Sequence, residues 1–167
     1  LTEYFRNHLS KGILGDPKHP DVFYRGTVWF FLLAVESGYN YSTDFVSSTA
    51  DYLCEKMQLS DGGFMFGSNP SFPVGCRTGN MVRALLKCGL SDSRTDAGIN
   101  WILNHQRKDG GWLHCSVAGF CDVMKLIFLR KTGSGLKNES DEKIQSCPAA
   151  TLSCLESLIA FNPGAHN

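Results

Sequence analysis

A gap-free internal repeat is the feature that most constrains the fold of this chain. The segment QLSDGGF at residues 58–64 aligns with QRKDGGW at residues 106–112, an offset of 48 residues. Gln, Asp, both glycines and a closing aromatic residue recur in the two copies. Because matched turns at a fixed spacing are the signature of repeated supersecondary units, the alignment predicts a stack of similar units.

Helical periodicity surrounds both copies of this turn. Val46, Ala50 and Leu53 precede the first copy at spacings of four and three residues, which places them on one face of an amphipathic helix. More apolar segments that end in glycine occupy residues 24–38, 77–89 and 121–133. We predict helices over residues 2–10, 24–37, 43–59, 77–88, 92–106, 121–131 and 148–161.

The repeating unit is therefore an apolar helix, a short turn, an amphipathic helix and a longer loop. Stacking of such helical hairpins places the apolar helices inside and the amphipathic helices outside. The predicted fold is all-α with negligible strand content. The 167 residues fit a single domain spanning residues 1–167.

Composition excludes several classes of function. The 16 basic and 16 acidic side chains cancel without a basic patch, so we expect no nucleic-acid partner. The longest apolar run is less than half of the roughly 20 residues that a membrane span needs, so we expect no transmembrane segment. Seven cysteines, an odd number, do not indicate a disulfide framework, and we expect a cytoplasmic location. Leu at position 1 leaves open that the chain belongs to a longer protein.

The stretch from Gly98 to Trp112, GINWILNHQRKDGGW, resembles the Gln-Trp repeat of squalene and oxidosqualene cyclases. The turn from Asp61 to Phe64, followed by Gly67, is similar to the Gly-Gly-Phe turns of protein prenyltransferase β subunits. The resemblance covers about residues 24–133. It implies a partial α/α toroid of stacked inner and outer helical hairpins around an apolar cavity for isoprenoid chains.

The catalytic signatures of those families do not accompany the repeat. The chain has no Asp-x-Asp-Asp cluster of the cyclase type and no Asp-x-Cys of the prenyltransferase type. We therefore expect a non-catalytic or only partly catalytic domain that binds a hydrophobic, isoprenoid-like ligand without full cyclase chemistry; any activity would be that of a transferase or cyclase acting on isoprenoids. The alternatives are a zinc-dependent prenyl-transfer enzyme and a protein-interaction scaffold. A homodimer or a longer chain would cover apolar inner faces of a partial ring.

Three polar or aromatic positions are candidates for ligand binding. Arg77 and Asn80 open an inner-type helix, where they would either bind an anionic headgroup such as a diphosphate or serve as capping and surface residues. Trp29 would either line an apolar pocket or belong to the core. Gln58, Phe64, Gln106 and Trp112 are expected to hold the fold rather than to contact a ligand.

Cysteines recur at the predicted starts of inner helices. Cys76, Cys121 and Cys147 stand at or just before such starts, which would bring them to the same rim of a helical stack. Thiolates near helix N-termini are suitable zinc ligands, although a cysteine is often simply a small apolar residue. We predict a zinc site built from Cys115, Cys121 and Cys147, completed by His114 or Asp122.

Overall fold

The computed structural model of this chain describes residues 1–66, 72–114 and 145–161. The predicted helix over residues 121–131 lies outside the described residues. The described helices are α1 (Thr2–Arg6), α2 (Thr27–Glu36), α3 (Asp44–Met57), α4 (Gly75–Lys87), α5 (Ser93–Asn104) and α6 (Pro148–Ala160). The strands are β1 (Leu9–Ser10), β2 (Ile13–Leu14), β3 (Met65–Phe66) and β4 (Phe72–Pro73), paired as two antiparallel hairpins.

The prediction of an all-α chain is confirmed for the described residues, where each of the four strands is only two residues long. Two predicted helices are shorter than expected. The first ends at Arg6, because the chain turns into the β1–β2 hairpin. The second begins at Thr27, because Tyr24 has a φ of 65° and Gly26 is extended, and neither conformation continues a right-handed helix.

The amphipathic helices α3 and α5 bury one face, as their periodicity predicts. On α3 the buried face includes Val46, Ala50 and Leu53, each 0% exposed. On α5 a capping box starts the helix: the side chain of Asp92 accepts a hydrogen bond from the Arg94 N–H, and the Asp92 N–H donates to the hydroxyl of Thr95.

The apolar helices α2 and α4 end in the same way. Gly38 and Gly89 both have a φ of +91°, and glycine adopts that left-handed conformation without a steric penalty. The N–H groups that follow these glycines donate to the carbonyls of Ala34 and Leu85. This match fixes which positions of the two helices correspond, and it pairs Thr27 of α2 with Thr78 of α4.

Helix α4 lies at the centre of the described structure and contacts α2, α5 and α6. Its approach to α6 is so close that a Cβ added to Gly79 would lie 2.5 Å from the carbonyl carbon of Ser153. The hydroxyl of Ser157 donates a 2.7 Å hydrogen bond to the carbonyl of Gly79. Small residues on both helices therefore allow backbone to pack directly on backbone.

One connected hydrophobic core extends from α1 to α6, and it includes Phe5, Phe31 and Leu85 at 0% exposure. Cys54 and Cys154 belong to this core, and both thiols are free. Burial raises the pKa of each of the two thiols to about 12. None of the helices described is both long enough and apolar enough to cross a membrane.

Candidate functional site

The first repeated turn is held together by its own polar groups. Gly62 has a φ of +93°, and its N–H donates to the carbonyl of Leu59 at 2.9 Å. The carboxylate of Asp61 accepts a 3.0 Å hydrogen bond from the Gly63 N–H. The side-chain amide of Gln58 donates to the carbonyl of Gly62 at 3.2 Å, which closes the turn from its other side.

The second turn repeats each of these interactions. Gly110 has a φ of +85° and donates to the carbonyl of Arg107 at 2.9 Å, and Asp109 accepts from the Gly111 N–H at 3.2 Å. The amide of Gln106 donates to Gly110 at 2.9 Å. The residues that the sequence alignment pairs thus have the same structural roles.

The backbone N–H of the aromatic residue in each turn donates a hydrogen bond to a threonine of another helix. Phe64 is 0% exposed, and its N–H donates a 2.9 Å hydrogen bond to the hydroxyl of Thr78 on α4. Trp112 is 1% exposed, and its N–H donates at 3.1 Å to the hydroxyl of Thr151 on α6. The expected role of these aromatic residues in holding the fold agrees with this burial.

Hydrogen bonds join the second turn to helix α6. The apolar segment that the sequence pattern places after this turn, residues 121–133, lies outside the described residues. In the structure Thr151 of α6 takes the place that Thr78 has in α4. The N–H of Cys147 donates to the Trp112 carbonyl, just as the N–H of Val74 donates to the Phe64 carbonyl. Helix α6 therefore has the same relation to the second turn that α4 has to the first, and Thr27, Thr78 and Thr151 occupy corresponding positions.

A third, divergent turn was missed in the sequence. Residues 8–14, HLSKGIL, occupy the same place before α2 that residues 58–64 have before α4. Gly12 has a φ of +82°, and Leu14 is 0% exposed. The shared Leu-Ser pair and the glycine two residues before a buried apolar residue were the available signals. They were overlooked because neither the Gln, the Asp nor the aromatic residue recurs.

Of the predicted ligand-binding residues, Arg77 has an acidic partner. Its Nη2 lies 2.6 Å from Oδ1 of Asp21, and the two side chains are 11% and 19% exposed. Burial lowers the pKa of Arg77, while the charge of Asp21 acts in the opposite direction. The guanidinium charge is thus largely matched inside the protein. Asn80 is half-buried one turn further along α4.

Trp29 belongs to an exposed aromatic cluster with Phe23 and Tyr24. Its ring centroid lies 5.3 Å from that of Phe23 and 5.7 Å from that of Tyr24. Phe23 is 59% exposed and Tyr24 is 84% exposed, whereas Trp29 is half-buried. The φ of 65° at Tyr24 is a conformation that costs a non-glycine residue roughly 1–2 kcal/mol. We refer to Phe23, Tyr24 and Trp29 as the aromatic cluster.

His114, a predicted metal ligand, lies beside Cys76, one of the cysteines at a predicted helix start, where α4 begins. The Sγ of Cys76 lies 3.2 Å from Nδ1 of His114. The pKa of Cys76 is raised by burial, lowered by Arg77 and raised by the nearby Cys147. Cys115, Cys121 and Asp122 lie outside the described residues. Within residues 1–66, 72–114 and 145–161, no group of three or more His, Cys, Asp or Glu side chains is arranged to hold a metal ion.

Ion pairs connect helices α2, α4 and α6. Arg83 of α4 lies 2.8 Å from a carboxylate oxygen of Glu36 on α2 and 3.5 Å from one of Glu156 on α6. Lys87 also pairs with Glu36 at 2.5 Å. The hydrogen bond from Lys87, with the charge of Arg83, lowers the pKa of Glu36, although partial burial acts against it.

A comparison with protein-family models gives no match to this chain, and a comparison with curated proteins gives none either. Function is therefore argued from the side chains themselves. Among the described residues, the aromatic cluster and the Cys76–His114 pair are the two arrangements that suggest a function beyond stabilising the fold.

Proposed function

We propose that this chain is a toroid-type helical repeat domain that binds an apolar, isoprenoid-like molecule at the aromatic cluster. Phe23 and Tyr24 of this cluster precede α2, and Trp29 lies in its first turn. The observation that carries the proposal is the exposure of Phe23 and Tyr24 beside Trp29. Grouped aromatic side chains that are left exposed commonly mark a binding surface. The similarity of the two repeated turns to those of cyclases and prenyltransferases supports an isoprenoid as the ligand class.

The backbone at Tyr24 supports the same proposal. A bulky residue with positive φ is strained, and such strain is often found where a side chain is held for binding. Because Tyr24 is 84% exposed, burial of its own ring contributes little to offset that strain. An apolar ligand that covers the ring would add the missing burial, at about 25 cal/mol for each Å² of apolar surface removed from water.

The ligand is expected to be neutral at the end that approaches α4. Arg77 was predicted to receive a diphosphate, and its pairing with Asp21 means that an anion would have to compete with a carboxylate 2.6 Å away. We therefore expect a neutral isoprenoid alcohol to bind about as tightly as the corresponding diphosphate. A diphosphate that binds at least tenfold more tightly would instead support an anion-binding role for Arg77.

The test is a titration with a dansyl-labelled geranyl alcohol, monitored by energy transfer from tryptophan. Trp29 is the half-buried donor, whereas Trp101 and Trp112 are 3% and 1% exposed. The double variant Phe23→Ser/Tyr24→Ser should weaken binding at least about tenfold, which corresponds to about 1.4 kcal/mol. Leu103→Ser removes a 53% exposed apolar side chain on α5 and serves as the matched control. Equal binding by both variants would contradict the proposal.

The zinc-dependent alternative is favoured by one observation, the 3.2 Å contact between Cys76 and His114. A thiolate and an imidazole are suitable zinc ligands, but this pair supplies only two of the four that a tetrahedral structural site needs. Elemental analysis of protein purified without chelator tests this candidate. One zinc ion for each chain, lost in Cys76→Ser with the helical circular dichroism unchanged, would support it, and metal-free protein would exclude it.

A further inference from the structure

The last described helix exposes an apolar stripe along one face. Leu152, Leu155 and Ile159 of α6 are 59%, 43% and 80% exposed. Their spacings of three and four residues place them side by side on the helix surface. We call these three residues the tail face. Neighbouring large apolar side chains exposed on one face indicate a contact surface rather than an ordinary solvated helix.

The corresponding positions on the preceding inner helices are covered. On α2 these positions are Val28, Phe31 and Val35, which are 1%, 0% and 1% exposed. On α4 the central position is Val82, at 0% exposure. Each of these two helices is followed by a further inner helix that contacts it, α4 against α2 and α6 against α4. On α4 the equivalent of Ile159 is Leu86, which is half-buried. The tail face of α6 thus corresponds to positions that are mostly buried on α2 and α4.

The contact between α4 and α6 identifies what fills such an interface. Gly79, which corresponds to Leu152 of the tail face, contacts the backbone of Ser153 and accepts a hydrogen bond from Ser157. Ser153 and Ser157 are 7% and 0% exposed as a result. A tail-face position therefore packs against these two positions of the next inner helix.

The same two positions on α2 are Trp29 and Leu33, and we call them the head face. Leu33 is 46% exposed, although the corresponding Ala84 and Ser157 are both 0% exposed. Trp29 is half-buried. Helix α2 thus exposes its head face, whereas α6 buries the corresponding positions against α4 and exposes its tail face.

We propose that the tail face of one copy of this chain binds the head face of a second copy. The contact uses the same helix positions as the interface between α4 and α6, but at a wider helix separation, because Leu152, Trp29 and Leu33 replace glycine and serine. Each contact joins a head face to a tail face, and a two-fold axis between the two copies generates this contact twice, so that both copies use both faces. The inference goes beyond ligand binding, and it predicts a native mass of twice 18.4 kDa.

Variants on each face separate this assembly from other arrangements. Ile159→Glu on the tail face and Leu33→Glu on the head face should each weaken dimerisation at least about tenfold in analytical ultracentrifugation. Both side chains are exposed in the single chain, so the folded monomer should be retained and its circular dichroism unchanged. Leu103→Glu, on the exposed side of α5, is the matched control and should remain dimeric.

Mixing the two variants gives the sharpest result. A tail-face variant still has an intact head face, and a head-face variant still has an intact tail face, so an equimolar mixture should recover a dimer with one intact contact. Recovery in the mixture, with neither variant dimeric alone, supports head-to-tail binding.

Three outcomes would overturn the inference. A wild-type monomer at tens of micromolar would show that no second copy occupies these faces, leaving a different partner or further repeat units as the occupant. A dimer that survives Leu33→Glu but not Ile159→Glu would show α6 packed on α6. Loss of dimerisation in Leu103→Glu would show a different interface altogether. Trp29 belongs to both the aromatic cluster and the head face, but Leu33 and Ile159 lie outside the cluster. Leu33→Glu and Ile159→Glu therefore test dimerisation without altering a residue of the proposed ligand site, which keeps the two failures distinguishable.

Discussion

The threonine that receives each repeated turn gives the most direct test of how the repeat stabilises the chain. Thr78→Val preserves the size and branching of the side chain but removes the hydroxyl that accepts the 2.9 Å hydrogen bond from Phe64. Both residues are 0% exposed, so the Phe64 N–H would be buried without its partner. An unsatisfied buried donor costs about 1–3 kcal/mol. Against a total stability of about 5–15 kcal/mol this is a measurable fraction.

Thr27 is the matched control on α2. It is also 0% exposed and occupies the corresponding helix position, but its hydroxyl has no hydrogen-bond partner within the described part of the chain. Thr27→Val removes a buried polar group without leaving a donor unpaired, so we expect it to be neutral or to stabilise the fold by up to about 1 kcal/mol.

Urea unfolding followed by circular dichroism at 222 nm measures both variants. Thr78→Val should reduce the free energy of unfolding by about 1–3 kcal/mol, and its melting temperature should fall by about 2–4 °C for each kcal/mol. Equal destabilisation by the two variants would refute the reasoning, because the loss could then not come from the hydrogen bond. A Thr78→Val protein as stable as wild type would refute it as well.

Three further predictions concern the turns, the buried thiols and one carboxylate. Gly62→Ala should destabilise the chain more than Gly12→Ala in urea unfolding. Both glycines have positive φ, but only a Cβ at position 62 would meet a neighbour, the Ala97 carbonyl oxygen at 2.1 Å. Cys54, with its pKa raised to about 12, should react at pH 8 roughly a thousandfold more slowly with maleimide than an ordinary exposed thiol. Peptide mass spectrometry measures the two rates, and equal rates would contradict this prediction. Glu36 has a lowered pKa, so its stabilisation is present above its ordinary value of 4.5 and is lost as the pH falls through its folded-state pKa. Glu36→Gln should therefore be less stable than wild type at pH 7, by less than about 1 kcal/mol, and the difference should vanish near pH 3.

The sequence predicted the helices and the repeated turns because their signals are local. The Asp-Gly-Gly-aromatic pattern encodes a positive φ, a carboxylate acceptor and a residue to bury, and residues 58–64 and 106–112 adopt that structure in full. The boundaries of α2 were less accurate, because the left-handed conformation of Tyr24 has no signature in its side-chain type.

The long-range pairings were beyond the reach of sequence patterns. No local pattern indicated that α6 would receive Trp112, which lies 39 residues from Thr151 in the chain. The contact depends on Thr151 and on the small residues that allow α6 to approach Gly79. Similarly, Arg77 looked available for a ligand because its partner Asp21 lies more than 50 residues away in the chain.

The predicted cysteine rim is supported at one point. Cys76 was placed near the start of its helix, and its approach to His114 follows from the backbone hydrogen bond that the Gly75 N–H donates to the His114 carbonyl. That bond joins the start of α4 to the residues after the second turn. Sequence spacing of 38 residues gave no indication of this contact.

The close approach of Gly79 to Ser153 determines which of helices α2, α4 and α6 can move relative to one another. Backbone atoms that touch cannot adjust by changing rotamers, so α4 and α6 should move as one rigid piece. Helices α2 and α4 are connected by the long side chains of Arg83 and Lys87, which both pair with Glu36 and can change rotamer while keeping that partner. Relative motion among these helices is therefore expected to occur mainly between α2 and α4.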